Sequence, residues 1–364
     1  MKVAHITSVH PHNDNRIFYK ECISLHKAGY DVTLIAAGVE HQIIDGIKIV
    51  GSKKERGGRV TRMIKTSFVN MLQACKNVDA DIYHFHDPEL MFVGFYLKLL
   101  GKKVIYDIHE NNPASILSKP YIKSQFVKKS LSILFDIFER SVSKVFDALV
   151  TARPDITERF HHGRVVTLRN FPMLPDFSTI KEVDIHKTKP SVIYVGGMAQ
   201  IRGINELLDA FEKLDKYELW LLGPISEEAL RNRITKGCKN VRYLGVVEPF
   251  EIFAYILKAD IGIITFLPAP NHLNTLATKP FEYMACGKPI VMSNFEYWKE
   301  TFQESALYVD PEDTYDIAQT ITYLMKNRDL REKMGAFNQQ LATTEYNWEK
   351  EGQKLIDLYK GLER

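Results

Sequence analysis

Histidines and carboxylates gather in three short stretches of the first half of this 364-residue chain: HPHNDNR at His10–Arg16, HFHDPE at His84–Glu89 and DIHEN at Asp107–Asn111. Each stretch follows a short apolar run that reads as a strand, and loops after parallel strands line the crevice of such sheets. Three polar clusters delivered to one sheet edge argue for a site. His84 and His86 stand two positions apart on a strand and project to one side, so with Asp87 and Glu89 they can bind a metal if a further ligand arrives from a distant segment. Without that ligand, His86 reads as a cleft residue and His84 as a packed one. The His161–His162 pair reads as surface.

Two constellations follow in the second half. In VIYVGGMAQIRGINELLDAF a buried strand runs into Gly196-Gly197, then Arg202-Gly203 and an amphipathic helix. Glycines at a strand-to-helix turn let a phosphate approach the backbone, the helix start adds partial positive charge, and Arg202 offers a planar fork for phosphate oxygens. In TLATKPFEYMACGKPIVMSN, Thr278 and Lys279 precede a short helix carrying Glu282. A carboxylate on the first turn of such a helix can accept hydrogen bonds from two adjacent sugar hydroxyls, while Lys279 can offset phosphate charge.

Positioning these groups requires parallel sheets with crossover helices, and the hydrophobic pattern predicts two of them. Strands are expected at Lys2–Thr7, Asp31–Ala36, Ile47–Val50, Asp81–Phe85, Lys103–Asp107 and Ala148–Thr151, then again at Ser191–Val195, Glu218–Leu222, Val241–Leu244, Ile261–Thr265, Pro289–Met292 and Ala306–Val309. Helices are expected between them, including Arg16–Lys27, stopped by Gly29, and a long one over Tyr121–Phe146 with Lys119, Lys123, Lys128 and Lys129 near its start. The Pro172, Pro175 and Pro190 region shows neither period and marks the domain boundary. The expected division is a first domain over 1–171, a linker over 172–190, a second domain over 191–345 and a C-terminal helix over 346–364 that packs back towards the first domain.

Composition narrows the functional classes. A formal net charge of +3, from 48 basic and 45 acidic side chains, gives no field of the size that nucleic acid demands. Cys22, Cys75, Cys238 and Cys286 are widely spaced, fitting neither a disulfide framework nor a structural zinc site, so a cytoplasmic location is expected. The start reads as a first strand and lacks the apolar core of a signal peptide, and no apolar run is long enough to span a bilayer. The basic starts near Tyr121 and the run Lys53, Lys54, Arg56, Arg59, Arg62 and Lys65 can lie against an anionic membrane. No GxGxxG with a following acidic residue opens either half, which argues against a hydride-transferring oxidoreductase.

Taken in order, YVGGMAQIRGINELLDAF, YELWLLGP, NVRYLGVVEPFEIFAYILKADIGIITF, TKPFEYMACGKPIV, ALYVDPEDTYDIAQTITYLM and YNWEKEGQKLIDLY resemble the C-terminal domain of glycosyltransferase family 4, the large retaining GT-B group. The resemblance implies two Rossmann-like doubly wound α/β domains facing across a cleft. It implies a nucleotide-sugar co-substrate, with a UDP-sugar favoured over a GDP-sugar and no metal needed for catalysis, and transfer with retention to a glycan or lipid-linked acceptor in cell-surface polysaccharide or lipopolysaccharide synthesis.

Position by position, Glu282 matches the second glutamate of the family's Glu-x7-Glu motif, which meets the ribose, and Phe281 and Thr278 stand beside it on the donor side. Arg202 matches the basic residue of the phosphate turn formed with Gly196 and Gly197, and Val246 the backbone that meets the base. VIYDIHE resembles the strand that ends in a histidine contacting the reacting sugar, which makes His109 the central residue of the first domain, with His10, Arg16, His86 and Glu110 towards the acceptor. Two positions depart from the pattern: Asn274 replaces the first glutamate, and Gly197 replaces the usual arginine, a charge that Lys279 is expected to restore. A nucleotide-sugar epimerase on the same fold and a catalytically silent nucleotide-binding partner are the alternatives.

Overall fold

The computed structural model describes residues 1–55, 62–119, 122–237, 239–248 and 250–363. The chain forms two compact units, one made of Met1–Asn170 together with Trp348–Arg364, the other of Phe171–Asn347. The 172–190 segment, expected as a linker, belongs to the second unit. Its Leu174, Phe177, Ile180 and Ile185 pack against that unit's core, so the apolar residues between the prolines decide its place.

The first unit holds β1 (Lys2–Thr7), β2 (Asp31–Ala37), β3 (Gln42–Ile44), β4 (Ile47–Ser52), β5 (Ile82–Phe85), β6 (Lys103–Ile108), β7 (Ala148–Thr151) and β8 (Val165–Thr167), in the spatial order β3-β4-β2-β1-β5-β6-β7-β8. All neighbours run parallel except β3 and β4, a hairpin turned through Asp45 (φ 50°) and Gly46 (φ 79°). The second unit holds β9 (Ser191–Val195), β10 (Glu218–Leu222), β11 (Val241–Gly245), β12 (Ile261–Ile264), β13 (Ile290–Ser293) and β14 (Ala306–Val309), all parallel, in the order β11-β10-β9-β12-β13-β14. In both sheets the winding reverses beside the first strand, between β1 and β5 and between β9 and β12. The carboxyl ends of strands flanking such a reversal are where open α/β sheets bind ligands.

Helices cover both faces, so β9, β10 and β12 are buried at every residue and read as continuous apolar runs. Tyr283 ties the helix Lys279–Ala285 to this sheet: it packs on Gly262, where a Cβ would lie 2.4 Å from the ring, and its hydroxyl accepts the Val195 N–H at 2.9 Å. Elsewhere, the helix Gln125–Ser143 begins at a Ser124 cap, and its expected start at Tyr121 lies outside the described residues. Its buried Glu139 accepts the Tyr106 hydroxyl at 2.9 Å and pairs with Arg159 at 2.7 Å. Phe135, Phe138 and Val142 pack inward, whereas Phe126 (79%), Leu134 (63%) and Ile137 (58%) are exposed.

The helix Trp348–Glu363 lies on the first unit, burying Leu355, Leu358, Tyr359 and Leu362 with the β1 and β2 side chains Val3, Val32 and Leu34. The Trp348 indole donates to Ser24 Oγ at 2.9 Å, and Glu351 accepts the Arg169 N–H at 2.9 Å.

Candidate functional site

At the carboxyl edge of the first sheet, Asp87 at the end of β5 gathers the loop after β1. One of its oxygens accepts the Thr7 hydroxyl at 2.9 Å and the Ser8 and Val9 N–H groups at 2.6 and 3.2 Å. Its other oxygen lies 3.3 Å from His10 Nε2, which sets the His10 ring 5.1 Å from that of His109. Behind them Asp107, on β6, offers one oxygen to His109 Nε2 at 3.0 Å and to His86 Nδ1 at 3.3 Å. Of these groups, His10 (32%) and His109 (16%) keep exposed side-chain surface, while Asp107 keeps none. The arrangement presents an imidazole to solvent with a carboxylate fixed behind it, which suits holding or exchanging a proton with a group placed against it.

Charge inside this edge is concentrated. Burial works against the Asp107 charge, but the Arg16 guanidinium and the His109 imidazole hold its carboxyl well below the usual range. Burial, with the Asp107 charge, pushes Glu21 well above its ordinary value, and burial lowers His86 to about 4.

Arg16, expected to face the acceptor, is 5% exposed: it donates to Leu168 O at 2.7 Å and to Asp107 at 3.2 Å and lies 3.0 Å from Glu21 Oε1. Two interior carboxylates demand a cation, and the helix carrying Arg16 turns it inward to meet them. His86 is likewise buried at 2%, bonded to His5 at 2.9 Å and lying 3.2 Å from His109 Nε2, so it supports His109 from behind. Glu110 is exposed and accepts the Ser115 hydroxyl at 3.3 Å.

In the second unit, successive strand ends carry Gly196 (φ 141°), Gly223 (φ 137°) and Gly245 (φ 83°). A Cβ on Gly223 would lie 2.2 Å from Gly196 O, so the turns after β9 and β10 touch backbone to backbone. Arg202 lies over this turn, its Nη1 at 3.5 Å from a Cβ placed on Gly196 and its guanidinium 5.3 Å from the Phe266 ring centroid. Tyr194 supports Gly197 by donating its hydroxyl to the Gly197 carbonyl at 2.9 Å. Gly203 (φ 68°) brings the following helix so close to β12 that a Cβ would lie 1.7 Å from Thr265 O. A bare backbone turn under a guanidinium can receive a diphosphate.

Because Tyr283 is bonded to Val195, the helix holding Glu282 sits at the same strand end as Gly196. Glu282 keeps 12% of its side chain exposed and pairs with Lys279 at 2.7 Å, so Lys279 is committed to the carboxylate rather than standing free beside the turn. Thr278 is exposed at the helix start, Asn274 is exposed after the short helix Pro270–Leu273, and Val246 is 65% exposed. Phe281, expected on the donor side, is 3% exposed and packs against Phe171, Phe302 and Tyr346 at 4.8 to 5.2 Å. One helical position before Glu282, it faces the core instead.

Three positioning residues were absent from the sequence reading: Glu21, His5 and Tyr359. They come from segments far apart in the chain. The only local sign was polar residues in apolar settings: His5 within VAHIT, and Arg16, Lys20 and Glu21 on a helix that also carries Ile17 and Phe18.

Residues 15–170 match the family Glycosyltransferase Family 4 and residues 189–327 match Glycosyl transferases group 1, which together take in most of the chain. The chain is 24% identical over 195 residues to spore coat protein SA of Bacillus subtilis, covering 49% of this chain and 50% of that protein. It is 28% identical over 179 residues to O-antigen chain mannosyltransferase B of Escherichia coli, covering 47% and 45%. It spans about half the length of the curated relatives it matches. Among solved structures, sucrose-phosphate synthase from Thermosynechococcus elongatus superposes with a TM-score of 0.73 at 17% identity, covering 99% of this chain and 98% of that one. Anabaena HepE, solved in complex with UDP and glucose, gives 0.69 at 13% identity, covering 99% and 100%. The fold is GT-B, with two Rossmann-like units.

Proposed function

Because this chain belongs to the glycosyltransferases of family 4 and group 1, we propose that it transfers a hexosyl or N-acetylhexosaminyl group from a nucleotide sugar to a glycan or lipid-linked acceptor, with retention of anomeric configuration. The observation that carries this reading is the helix of Glu282, tied by the Tyr283 hydroxyl to the Val195 N–H at the end of β9, the strand that leads into the Gly196–Gly197 turn over which Arg202 lies. Glu282 takes the ribose hydroxyls, exchanging part of its bond with Lys279 for them, and Lys279 and Arg202 offset the diphosphate charge. Gly196, Gly197, Thr278 and Asn274 line the donor side and the backbone at Val246 meets the base.

The first unit serves the acceptor and the reacting sugar through His109, with His10 beside it and Asp107 behind it. The acceptor oxygen forms its bond to the anomeric carbon as the bond to the phosphate oxygen breaks on the same face, and the leaving phosphate takes the acceptor's proton. The protein contributes positioning and charge stabilisation, with no metal in the chemistry. A uridine nucleotide is favoured by the likeness to the Anabaena protein solved with UDP, and a cell-surface glycan acceptor by the relative named for the O-antigen chain. Buried free thiols at Cys22, Cys75 and Cys286 suit a cytoplasmic setting.

No helix among the described residues is long and apolar enough to cross a membrane. The exposed Phe126, Leu134 and Ile137, with Lys123, Lys128 and Lys129 nearby, support a peripheral seat on an anionic membrane. Arg56 and Arg59 of the other basic run lie outside the described residues.

A thermal-shift panel of UDP, GDP, ADP and their sugars tests the donor reading, because a bound nucleotide raises the melting temperature by mass action. Stabilisation by UDP-sugars is expected, and none by any nucleotide overturns it. NMR of the product's anomeric proton tests retention, and an inverted linkage removes it. Conversion of donor alone would favour the epimerase, and nucleotide binding without transfer to any acceptor would favour the silent partner.

A further inference from the structure

The geometry points to a structural metal site inside the first unit, in which His5, His84, His86 and Glu21 together hold one zinc ion or a similar first-row divalent cation. The HFH pair on β5 needs ligands from a distant segment, and the fold supplies two: His5 on the adjacent β1 and Glu21 on the helix Asn15–Cys22. All four residues are 0 to 2% exposed, and their ligand atoms lie within 4.8 Å of one another. Glu21 Oε2 is the hub, 3.9 Å from His5 Nδ1 and 4.0 Å from both His84 Nδ1 and His86 Nε2, while His5 Nδ1 and His86 Nε2 face each other at 2.9 Å. Tetrahedral zinc with ligand bonds near 2.0–2.1 Å sets its ligands about 3.3 Å apart, so the Glu21 separations must shorten by roughly 0.6–0.7 Å and the widest in the set by up to about 1.5 Å, changes within reach of side-chain rotations.

Two observations ask for a cation there. Glu21 Oε2 is fully buried and accepts no hydrogen bond, and an interior carboxylate oxygen without a donor calls for a partner. Glu21 and Asp107 also share the single guanidinium of Arg16, which leaves one interior negative charge to be met by a proton or a metal. The surroundings complete the design of a ligand set. His86 places its other ring nitrogen 3.3 Å from Asp107, the carboxylate-behind-histidine arrangement that fixes a ligating imidazole. The Tyr359 hydroxyl lies 2.9 Å from His84 Nδ1 and 3.4 Å from His5 Nε2, so it keeps His5 as partner when His84 turns to the metal. Four protein ligands leave no open position, which makes the ion a fastener of β1, β5 and the helix between them. Through His86 and Asp107 it also fixes the seat of His109.

The test uses the full chain purified through a tag free of histidine. Elemental analysis is expected to find about one zinc per chain, and protein stripped by chelator should take up one equivalent and melt several degrees higher. Cobalt(II) should give the intense visible bands of a tetrahedral site. The double variant His5→Gln, His84→Gln should lower zinc content at least tenfold, while His161→Ala at the surface keeps it. The proposal falls if stripped wild-type protein binds neither metal and its melting point does not move, with the interior charge then met by a proton on Glu21. It falls equally if the double variant retains its zinc. Should that variant not fold, the wild-type titration alone decides, and none of these readouts depends on the donor or acceptor assigned above.

Discussion

Two of the three partners of Asp107, His109 and Arg16, pull in different directions, and separating them distinguishes chemistry from architecture. Its bond to His109 orients an imidazole with free surface, whereas its ion pair with Arg16 closes an interior charge. His109→Gln is therefore expected to lower turnover about 100-fold or more while the melting temperature stays put. Asp107→Ala removes the carboxylate that fixes both His109 and Arg16 but leaves Glu21 to pair with the guanidinium, so it should lower turnover and also cost about 1–3 kcal/mol of stability for the hydrogen bonds lost, read by denaturant unfolding. In the second unit, Glu282→Gln removes the charged acceptor proposed for the ribose, and calorimetry should show nucleotide affinity falling about 10- to 100-fold, as expected for hydrogen bonds to a charged group. His109 and Glu282 could be singled out for the proposed site because each stands in a local word, DIHE or TKPFE, that the chain spells in consecutive letters. Arg16 and Phe281 were misplaced because the direction of a side chain on its helix depends on what the fold packs against it. Glu21 was not legible at all, since its partners lie on strands far from it in the chain.

Elements were easier to read than the groups they carry. Parallel strands buried on both faces leave long apolar runs, and β1, β7, β9, β10 and β14 have the bounds the pattern predicts. β4 was expected but its hairpin partner β3 was missed, although Asp45-Gly46 is a strong two-residue turn signal, because three-residue β3 is exposed at Gln42 and Ile43 and shows no alternation. Short β8 is only half buried and fails for the same reason. Between elements, the decisive contact is Tyr283 on Gly262. Gly262→Ala would force a methyl into the ring at 2.4 Å, and displacing that helix should cost about 1–3 kcal/mol and weaken nucleotide binding along with it, whereas Gly237→Ala at a helix end should do neither. The exposed face of Gln125–Ser143 makes a separate prediction. Leu134→Glu with Ile137→Glu should abolish co-sedimentation with anionic vesicles at moderate salt and leave thermal stability nearly unchanged, because neither side chain packs inward.

At the scale of the molecule, the chain leaves the first unit at Asn170 and re-enters it at Trp348, so that unit is assembled from two distant pieces. A chain stopped after Asn347 loses the cover that Leu355, Leu358, Tyr359 and Leu362 give to Val3, Val32 and Leu34. Calorimetry of that truncation should show the transition of the first unit shifted down or lost while that of the second unit persists. Amide exchange should place the new openings in β1 and β2. The duplication of one α/β plan was visible in the pattern of strands, and a last helix packing back towards the first domain was expected, but the polar partners that Tyr359 and Trp348 find there are announced by no local pattern. The return also has a consequence in time. A ribosome delivers β1 to β8 first and then the whole of the second unit before residues 348–363 emerge, so the apolar face of the earliest strands waits uncovered while a complete domain is made. Nascent chains of this protein should therefore be clients of a holdase until residues 348–363 emerge, and slowing translation through the second unit should lengthen that dependence.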